Sequence, residues 1–266
     1  MADVHPSAIV SQDAKLASNV TVGPFCIVEG PVELDDGVVL HSHVVVTGRT
    51  RVGAKTEIFP FASIGHRPQD LKFGGEDSLL EIGSGNVIRE YVTMNPGTKN
   101  GGMVTRVGSS GLYMIGAHIA HDCMVGHRVI MANNATLAGH CTVGDNVVLG
   151  GLSAIHQFVR IGRSAMIGGM SGVEQDVVPF GLVMGDRARL AGLNLVGLKR
   201  SGHDRAAIRG LRHCYDVVFA GEGTFQERLE RAERDLTKEG PAAELLAFLK
   251  ADSSRSILQP KLPHAE

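Results

Sequence analysis

Two sets of residues recur at intervals of eighteen positions in the middle of this chain. The sets are His121, Gly139 and Gln157, and Asp122, His140 and Phe158. Histidine has an ordinary pKa suited to proton transfer near pH 7, and a neighbouring carboxylate can orient its ring and stabilise the imidazolium. A glycine N–H, with no side chain in the way, can donate to a tetrahedral oxyanion. These residue types could together take up a proton and stabilise a developing negative charge on oxygen.

The interval of eighteen is three times a shorter period. Between Val107 and Val173 a large, mostly aliphatic side chain returns every sixth residue, with a small one two positions before it. A period of six fits neither an α-helix nor an alternating strand and is typical of a hexapeptide β-helix, in which three hexads make one coil. Residues eighteen apart are therefore expected to lie one above the other, about 4.8 Å apart.

The same ladder begins near the N-terminus and is interrupted twice. It runs from Val10 to Ile64, stops over residues 65–81, and resumes at Ile82, eighteen positions after Ile64. This spacing predicts that the first excursion replaces one coil without changing the phase. A second excursion, over residues 95–106, shifts the phase by one. Long loops on a rigid scaffold commonly carry function. The ladder is predicted to end at Val173, because Pro179 stands where the next rung would be.

The last third of the chain has a helical pattern. We predict a β-helix domain over residues 1–186 and a small helical domain over 187–266. The predicted helices are Asp204–Ala220, a segment from an N-cap at Thr224 to about Glu239, and Ala242–Lys250.

Composition excludes several classes of partner. The 266 residues carry a formal charge of −2, which gives no reason to expect nucleic acid or an anionic membrane. No apolar run is long enough to span a bilayer, and the N-terminus lacks the pattern of a signal peptide, so we expect a cytoplasmic protein without membrane insertion. Cys123 and Cys141 occupy the small inward position and are predicted to be buried thiols.

Several blocks of sequence resemble a known family. These are residues 61–65, 69–72, 118–123, 132–140, 156–158 and 197–200. They closely resemble the UDP-N-acetylglucosamine O-acyltransferases of lipid A synthesis, and the match covers essentially the whole chain. The resemblance implies a left-handed parallel β-helix and a homotrimer with active sites between subunits. It also implies transfer of a 3-hydroxyacyl chain from acyl carrier protein to the sugar 3-hydroxyl. No cofactor is implied beyond the phosphopantetheine thioester of the carrier protein.

The resemblance also implies roles for single residues. His121 would be the general base, Asp122 its partner, Gly139 the oxyanion donor and Gly169 the acyl-chain ruler, with no metal ligand. The implied substrate-binding residues are Asp70, Lys72, His118, His140, His156, Gln157, Asn194 and Arg200. The chain departs from the family pattern at Asn95, Pro96, Arg187 and Ser201.

Three other functions remain open on the sequence. A relative acylating a sugar amine would share most of these residues. A zinc enzyme of the γ-carbonic-anhydrase kind would use three histidines across a subunit interface. The repeat could also be a structural or binding scaffold without catalysis. Incubation with acyl carrier protein thioester and nucleotide sugar would distinguish these classes.

Overall fold

The computed structural model describes residues 1–235 and 239–260, which form 28 strands and four helices. The strands are β1 (Asp3–Val4), β2 (Ile9–Val10), β3 (Lys15–Leu16), β4 (Thr21–Val22), β5 (Ile27–Glu29), β6 (Glu33–Leu34), β7 (Val39–Leu40), β8 (Val45–Thr47), β9 (Arg49–Val52), β10 (Glu57–Ile58), β11 (Ser63–Ile64), β12 (Leu79–Ile82), β13 (Val87–Ile88), β14 (Thr93–Met94), β15 (Val104–Val107), β16 (Leu112–Tyr113), β17 (His118–Ile119), β18 (Met124–Val125), β19 (Ile130–Met131), β20 (Thr136–Leu137), β21 (Thr142–Val143), β22 (Val148–Leu149), β23 (Ala154–Ile155), β24 (Arg160–Ile161), β25 (Met166–Ile167), β26 (Gly172–Val173), β27 (Gly181–Met184) and β28 (Arg189–Leu193). The helices are α1 (Leu195–Arg200), α2 (Arg205–Ala220), α3 (Phe225–Asp235) and α4 (Gly240–Lys250).

The strands form three sheets that share one interior. From β1 to β26, paired strands are parallel and three apart along the chain, so that successive strands belong to successive faces of a triangular coil. Where no loop intervenes, paired residues are eighteen apart, as in Asp3↔Thr21 and His118↔Thr136. The predicted stacking of residues eighteen apart is confirmed.

The ladder residues fill the interior. Ile119 and Leu137 are completely buried, and Ile155 is nearly so, while the residue before each of them in its strand is more exposed. Burial of one such side chain contributes about 1.5–3 kcal/mol, but only when the next coil covers it, so the coils stabilise one another. Cys123 and Cys141 lie in the same interior as free thiols, as predicted.

The corners between faces are tight turns with left-handed backbone. Asp122, His140 and Phe158 occupy the same turn position in three successive coils, with φ of 59°, 64° and 66°. Residues other than glycine rarely adopt this conformation, and here the stacked coils impose it. The corner therefore holds these three side chains in one column.

The first loop excursion differs from the prediction. Ile82 pairs with Val52, and Ile64 pairs with Met94, so Ile82 does not lie above Ile64. The loop leaves after one face and returns at the start of the next, which lengthens a single coil by twelve residues. It therefore does not replace a coil. Because the twelve inserted residues are a multiple of six, the ladder stays in phase. The spacing of eighteen between Ile64 and Ile82 therefore does not mean that these two residues stack.

The second excursion keeps its predicted effect. Ile82 pairs with Val107, twenty-five positions later, which is seven more than a regular coil. Seven residues exceed one hexad by one, and the predicted phase shift is confirmed.

The end of the ladder was predicted too early. Val177 bridges to Ile161, and Val183 pairs with Ile167, so the stack continues past Val173 with a shorter spacing of sixteen. This last coil is two residues shorter than a regular one. The shorter length breaks the period in the sequence, but in the structure it only tightens a corner. Strand β27 then turns back into β28, an antiparallel hairpin that the period of six does not predict.

The helices follow the hairpin. The boundary predicted at residue 187 lies in the turn between β27 and β28. Asp204 caps α2, and Thr224 forms the expected capping box with Glu227. Helix α3 is described from Phe225 to Asp235, and its predicted continuation to about Glu239 falls on residues 236–238, outside the described part of the chain. Helix α4 begins two residues before the predicted start. Among the described residues, none of the helices is both long and apolar enough to cross a bilayer.

Candidate active site

The two predicted columns meet at one corner of the β-helix. The N–H of His140 donates to the carbonyl of His121 at 3.0 Å, and the N–H of Phe158 donates to the carbonyl of Gly139 at 3.1 Å. The rings of His140 and Phe158 stack at 4.4 Å, and the ring of His121 meets that of His140 edge-on at 5.0 Å. The corner therefore places two imidazoles over adjacent coils.

His121 and Asp122 form a hydrogen-bonded pair. The Nδ1 atom of His121 lies 2.8 Å from Oδ2 of Asp122, whose side chain is 1 % exposed. Thr98 donates to the same carboxylate, through its N–H to Oδ1 at 2.8 Å and through Oγ1 to Oδ2 at 2.6 Å. The N–H of Asp122 in turn donates to Oγ1 of Thr105 at 2.7 Å. These donors satisfy a carboxylate that burial would otherwise penalise.

This pairing leaves the far nitrogen of His121 for chemistry. A carboxylate that accepts from Nδ1–H fixes the ring so that Nε2 carries the lone pair. Gly139 lies against that side of the ring, because a Cβ at position 139 would stand 2.6 Å from Cε1 and 2.8 Å from Nε2 of His121. Only glycine fits there with the ring as observed.

The backbone N–H of Gly139 has no acceptor among the described residues. Gly139 is buried as a residue, and the backbone N–H groups of buried residues are normally paired. An oxyanion formed beside His121 could satisfy this N–H.

Two further histidines at the corner favour the neutral form. Burial lowers the pKa of His118, with a smaller contribution from the nearby charge of His121. Its Nδ1 lies 2.7 Å from Oγ1 of Thr93. Burial also lowers the pKa of His140, and the carboxylates of Asp122 and Asp70 oppose this only in part. Both rings can therefore serve as neutral hydrogen-bonding groups near pH 7.

The first excursion reaches the same corner. The negative charge of Asp70 acts to raise the pKa of His140, in opposition to burial. Oδ1 of Asp70 accepts from the N–H of Lys72 at 3.0 Å. The Lys72 side chain is exposed and makes no ion pair among the described residues. Asn95, one of the departures from the family pattern, is buried and donates from Nδ2 to the carbonyl of His66 at 3.0 Å, which ties the two excursions together.

His156 and Gln157 lie one coil above His140 on the same corner, and both are exposed. The backbone places them by the same stacking that places His121, since the N–H of His156 donates to the carbonyl of Val173 at 2.8 Å. Within one chain, His121, Asp122, Gly139, His118, His140, Asp70, Lys72, His156 and Gln157 therefore share this corner and its adjoining loop.

Three other predicted site residues lie elsewhere in the same chain. Asn194 caps α1 by accepting from the N–H of Gly197 at 2.9 Å and donates to the carbonyl of Ser164, on a second corner. Arg200 is exposed at the end of α1. Gly169 is exposed on the third corner, in the turn after β25, where a Cβ would meet the carbonyl oxygen of Gly151 at 3.2 Å. One chain does not bring these three residues to His121.

The sequence did not identify Thr93, Thr98, Thr105 or Arg255 as parts of this site. Thr98 and Thr105 both lie within the second excursion, residues 95–106, where the period gives no position. Arg255 lies beyond α4, and its Nη2 approaches Nδ1 of His156 at 2.8 Å.

The corner also contains the donor atoms for a metal ion. Ligand atoms of His121, Asp122 and His140 all lie within 4.8 Å of one another, the one such group among the described residues. Both oxygens of Asp122 already accept hydrogen bonds from Thr98, and Oδ2 also faces His121. A metal ion would have to displace these donors.

The stacked coils of hexads, with a histidine–carboxylate pair at one corner, define a hexapeptide-repeat transferase. The description "Bacterial transferase hexapeptide (six repeats)" matches residues 13–48, and "Udp N-acetylglucosamine O-acyltransferase; Domain 2" matches residues 176–258. The chain belongs to the UDP-N-acetylglucosamine O-acyltransferase family.

The relatives that establish this family match nearly the whole chain. The acyl-[acyl-carrier-protein]–UDP-N-acetylglucosamine O-acyltransferase of Rickettsia bellii is 51 % identical over 255 residues, which is 96 % of this chain and 91 % of that protein. The structure of LpxA from Acinetobacter baumannii has a TM-score of 0.92 at 42 % identity, covering 96 % of this chain and 99 % of that one. The UDP-N-acetylglucosamine O-acyltransferase of Moraxella catarrhalis has the same TM-score and coverage at 37 % identity. These matches confirm the predicted fold class, a left-handed parallel β-helix with a helical C-terminal part.

Proposed function

We propose that this protein transfers a 3-hydroxyacyl chain from acyl carrier protein to the 3-position of UDP-N-acetylglucosamine, the first step of lipid A biosynthesis. The names of its relatives state the carrier-protein donor and the nucleotide-sugar acceptor. The observation that carries the proposed chemistry is the pair formed by His121 and Asp122, beside the N–H of Gly139, which has no acceptor in the described part of the chain.

The mechanism needs one proton acceptor and one oxyanion donor. Nε2 of His121 takes the proton from the sugar 3-hydroxyl as its oxygen attacks the thioester carbonyl carbon. The carbonyl oxygen becomes an oxyanion and accepts from the N–H of Gly139. The C–S bond then breaks, the oxyanion returns to a carbonyl, and the departing thiolate takes the proton from His121. General-base catalysis contributes about 10²–10⁴ in rate, and each oxyanion donor about 10²–10³.

Asp122 contributes by orientation and charge. Its carboxylate accepts from Nδ1–H of His121 and stabilises the imidazolium that forms when Nε2 takes the proton. Thr98 and Thr105 hold that carboxylate and its backbone in place. The chain itself therefore supplies the proton transfer, and we propose a reaction without a metal ion or resident cofactor, since the oxygens of Asp122 are engaged by N–H and O–H donors.

We also propose that the site is completed by a second subunit in a homotrimer. The predicted site residues of one chain lie on different corners, with His121 on one, Asn194 beside another and Gly169 on the third. Neighbours around a three-fold axis would bring different corners together. The third corner carries exposed apolar side chains in a column, among them Phe61, Tyr91, Leu152 and Met170. Sedimentation equilibrium tests this proposal, and a monomer at micromolar concentration would contradict it.

The main alternative concerns the sugar atom that is acylated, an oxygen or a nitrogen at the 3-position. A sugar amine at the 3-position would be acylated by the same base and oxyanion donor, because the geometry at His121 does not distinguish an attacking oxygen from an attacking nitrogen. The zinc enzyme of the γ-carbonic-anhydrase kind would need a metal ion, and the scaffold alternative would involve no catalysis.

One experiment tests the proposal against these alternatives. Purified protein is incubated with 3-hydroxyacyl carrier protein thioesters of several lengths and with either UDP-N-acetylglucosamine or its 3-amino analogue, with and without EDTA. We expect an ester product on the 3-hydroxyl sugar, identified by mass spectrometry and unaffected by EDTA. An amide product alone would assign the sugar amine, loss of activity with EDTA would indicate a metal enzyme, and no product with either sugar would contradict the proposal.

A further inference from the structure

The segment after α4 is fastened to the last coils of the β-helix. The N–H of Asp176 donates to the carbonyl of Ser256 at 2.9 Å, and the N–H of Leu258 donates to the carbonyl of Asp176 at 2.9 Å. Leu258 is buried, and Gln175 donates from Nε2 to Oγ of Ser256 at 2.8 Å. This C-terminal strap, residues 252–260, therefore has a fixed register on the coil.

A buried carboxylate anchors the strap. The side chain of Asp176 is fully buried and accepts from the N–H of Arg160 at 2.8 Å, from Nε of Arg160 at 2.7 Å and from Oγ of Ser253 at 2.6 Å. Hydrogen bonds to a charged, buried group are stronger than ordinary ones. Ser253 in turn accepts from the N–H of Arg255 at 3.1 Å, so the anchor also sets the backbone that carries Arg255.

Asp176 lies one coil above Arg160, on the face that follows the active-site corner. The N–H of Val177 donates to the carbonyl of Arg160 at 2.9 Å, and the N–H of Arg160 donates to Oδ1 of Asp176 at 2.8 Å, in keeping with the spacing of sixteen in this coil. Glu174 stands eighteen positions after His156. The strap is thus attached beside the site, which explains how a residue 99 positions from His156 reaches its ring.

The contact between Arg255 and His156 fixes a protonation state. Nη2 of Arg255 lies 2.8 Å from Nδ1 of His156. A guanidinium has only donors and keeps its charge, so Nδ1 must accept and cannot carry a proton. The carbonyl of Gln157, 3.3 Å from the same Nδ1, would favour the opposite tautomer, but that contact is longer and involves no charge.

We propose that Arg255 is a positioning residue that keeps His156 neutral with its proton on Nε2, as a hydrogen-bond donor to the substrate bound at the corner. A second proton, placed on Nδ1, would point at the guanidinium of Arg255. A shift of the single proton from Nε2 to Nδ1 would turn Nε2 from a hydrogen-bond donor into an acceptor. The role assigned to the substrate contact rests on the proposed acyl transfer; the tautomer itself does not.

Two ion pairs lie near His156, and neither includes Arg255. Glu174, one coil above it, pairs with Arg187, and Arg160 pairs with Asp176. Arg255 makes no ion pair among the described residues. The guanidinium is therefore left to the imidazole, which supports a role directed at His156 and not at a neighbouring carboxylate.

The tautomer is measured directly. Long-range ¹H–¹⁵N spectra of histidine-labelled protein, with the His156 signals assigned from a His156→Gln variant, distinguish a proton on Nε2 from one on Nδ1. We expect the Nε2–H form in the wild type and in Arg255→Lys, which retains a cationic donor. We expect a mixture of the two tautomers in Arg255→Ala. An Nδ1–H form in the wild type would overturn the proposal.

Kinetics test the consequence for the reaction. Arg255→Ala should lower kcat/KM about tenfold, the size of one hydrogen bond, with partial recovery in Arg255→Lys and no change in Gln259→Ala, a control on the same strap. In a His156→Ala background, Arg255→Ala should have no further effect, because the positioning role acts through that ring. Additive losses in the double variant would overturn the proposal. Absence of acyl transfer in the wild type would instead contradict the proposed function, and the spectra would still decide the tautomer.

Discussion

Thr98 holds Asp122 with two hydrogen bonds, one from its N–H to Oδ1 at 2.8 Å and one from Oγ1 to Oδ2 at 2.6 Å. The second excursion is thereby tied to the corner that carries His121. The glycine at position 101 allows this approach, because a Cβ there would stand 1.9 Å from Cγ of Asp122. A loop that looks like an interruption of the coil is thus the support of the carboxylate.

This relationship gives a first prediction. Thr98→Val keeps the shape of the side chain and the backbone donor but removes the O–H donor to Oδ2. We expect kcat to fall about 10- to 100-fold, the value of one buried hydrogen bond to a charged group, with little change in KM. Thr142→Val, at an exposed strand position, is the matched control. A folded Thr98→Val variant with the turnover of the wild type would show that this donor does not orient Asp122.

The second prediction concerns the base itself. His121→Ala removes the proton acceptor, while the ladder below it stays intact because His121 is not an inward residue. Turnover should fall by about 10²–10⁴, with a melting temperature close to that of the wild type. Turnover within about threefold of the wild type would assign the base elsewhere.

The period of six predicted the corner because the ladder is uninterrupted from Val107 to Val173. His121, Gly139 and His140 could be placed from their numbers alone, since each coil there has eighteen residues. The same rule misplaced Ile82, because an insertion of two hexads preserves the phase while changing the partner.

The contacts that complete the corner were beyond that rule. Thr98 and Arg255 reach it from an irregular loop and from a strap attached by backbone bridges, and neither has a period. Their positions depend on which carbonyl and carboxylate oxygens the coil leaves available. Only the folded coil shows this.

The third prediction tests the register of the coils. Leu137 is fully buried, so Leu137→Asp would place a carboxylate in the interior with no partner. We expect insoluble or unfolded protein. Asn133→Asp, four residues earlier at an exposed corner, should stay folded with a melting temperature near that of the wild type. Circular dichroism and solubility compare the two variants, and a cooperative, soluble Leu137→Asp protein would contradict the register.

The fourth prediction concerns pH. Burial, with a smaller contribution from His121, lowers the pKa of His118 in the folded chain. The unfolded chain, with an ordinary pKa of about 6.5, therefore binds the proton more readily, and stability falls as pH drops below that value. The contribution of His118 to the stability of the folded chain is complete above about pH 6.5. It is lost as the pH falls from this value through the lowered pKa of His118 in the folded chain.

Substitution of the ring measures this contribution. His118→Gln keeps a hydrogen-bonding group beside Thr93 but cannot titrate. Between about pH 8 and about pH 5, its melting temperature should fall less than that of the wild type. Parallel falls in the two proteins would mean that His118 does not contribute to the acid sensitivity.

The last prediction concerns acyl length and begins at the third corner. Gly169 is exposed there, beside the exposed side chains of Leu152 and Met170, which are 60 % and 73 % accessible. In the proposed trimer this apolar corner would face the His121 corner of a neighbour. An acyl chain running up the cleft from the thioester would then end near position 169, and a glycine leaves that end open to a long chain.

Gly169→Met should close the end of this groove. The backbone at position 169 accepts a side chain without a left-handed conformation, and the nearest obstacle to a Cβ is the carbonyl oxygen of Gly151 at 3.2 Å. We therefore expect a folded trimer that retains turnover but prefers a shorter 3-hydroxyacyl thioester. The ratio of kcat/KM between long and short chains should fall at least about tenfold, the effect of one or two methylenes in a filled pocket. Gly151→Ala on the same corner is the control for backbone disturbance. If the folded Gly169→Met trimer ranks the thioesters as the wild type does, chain length is measured at another position.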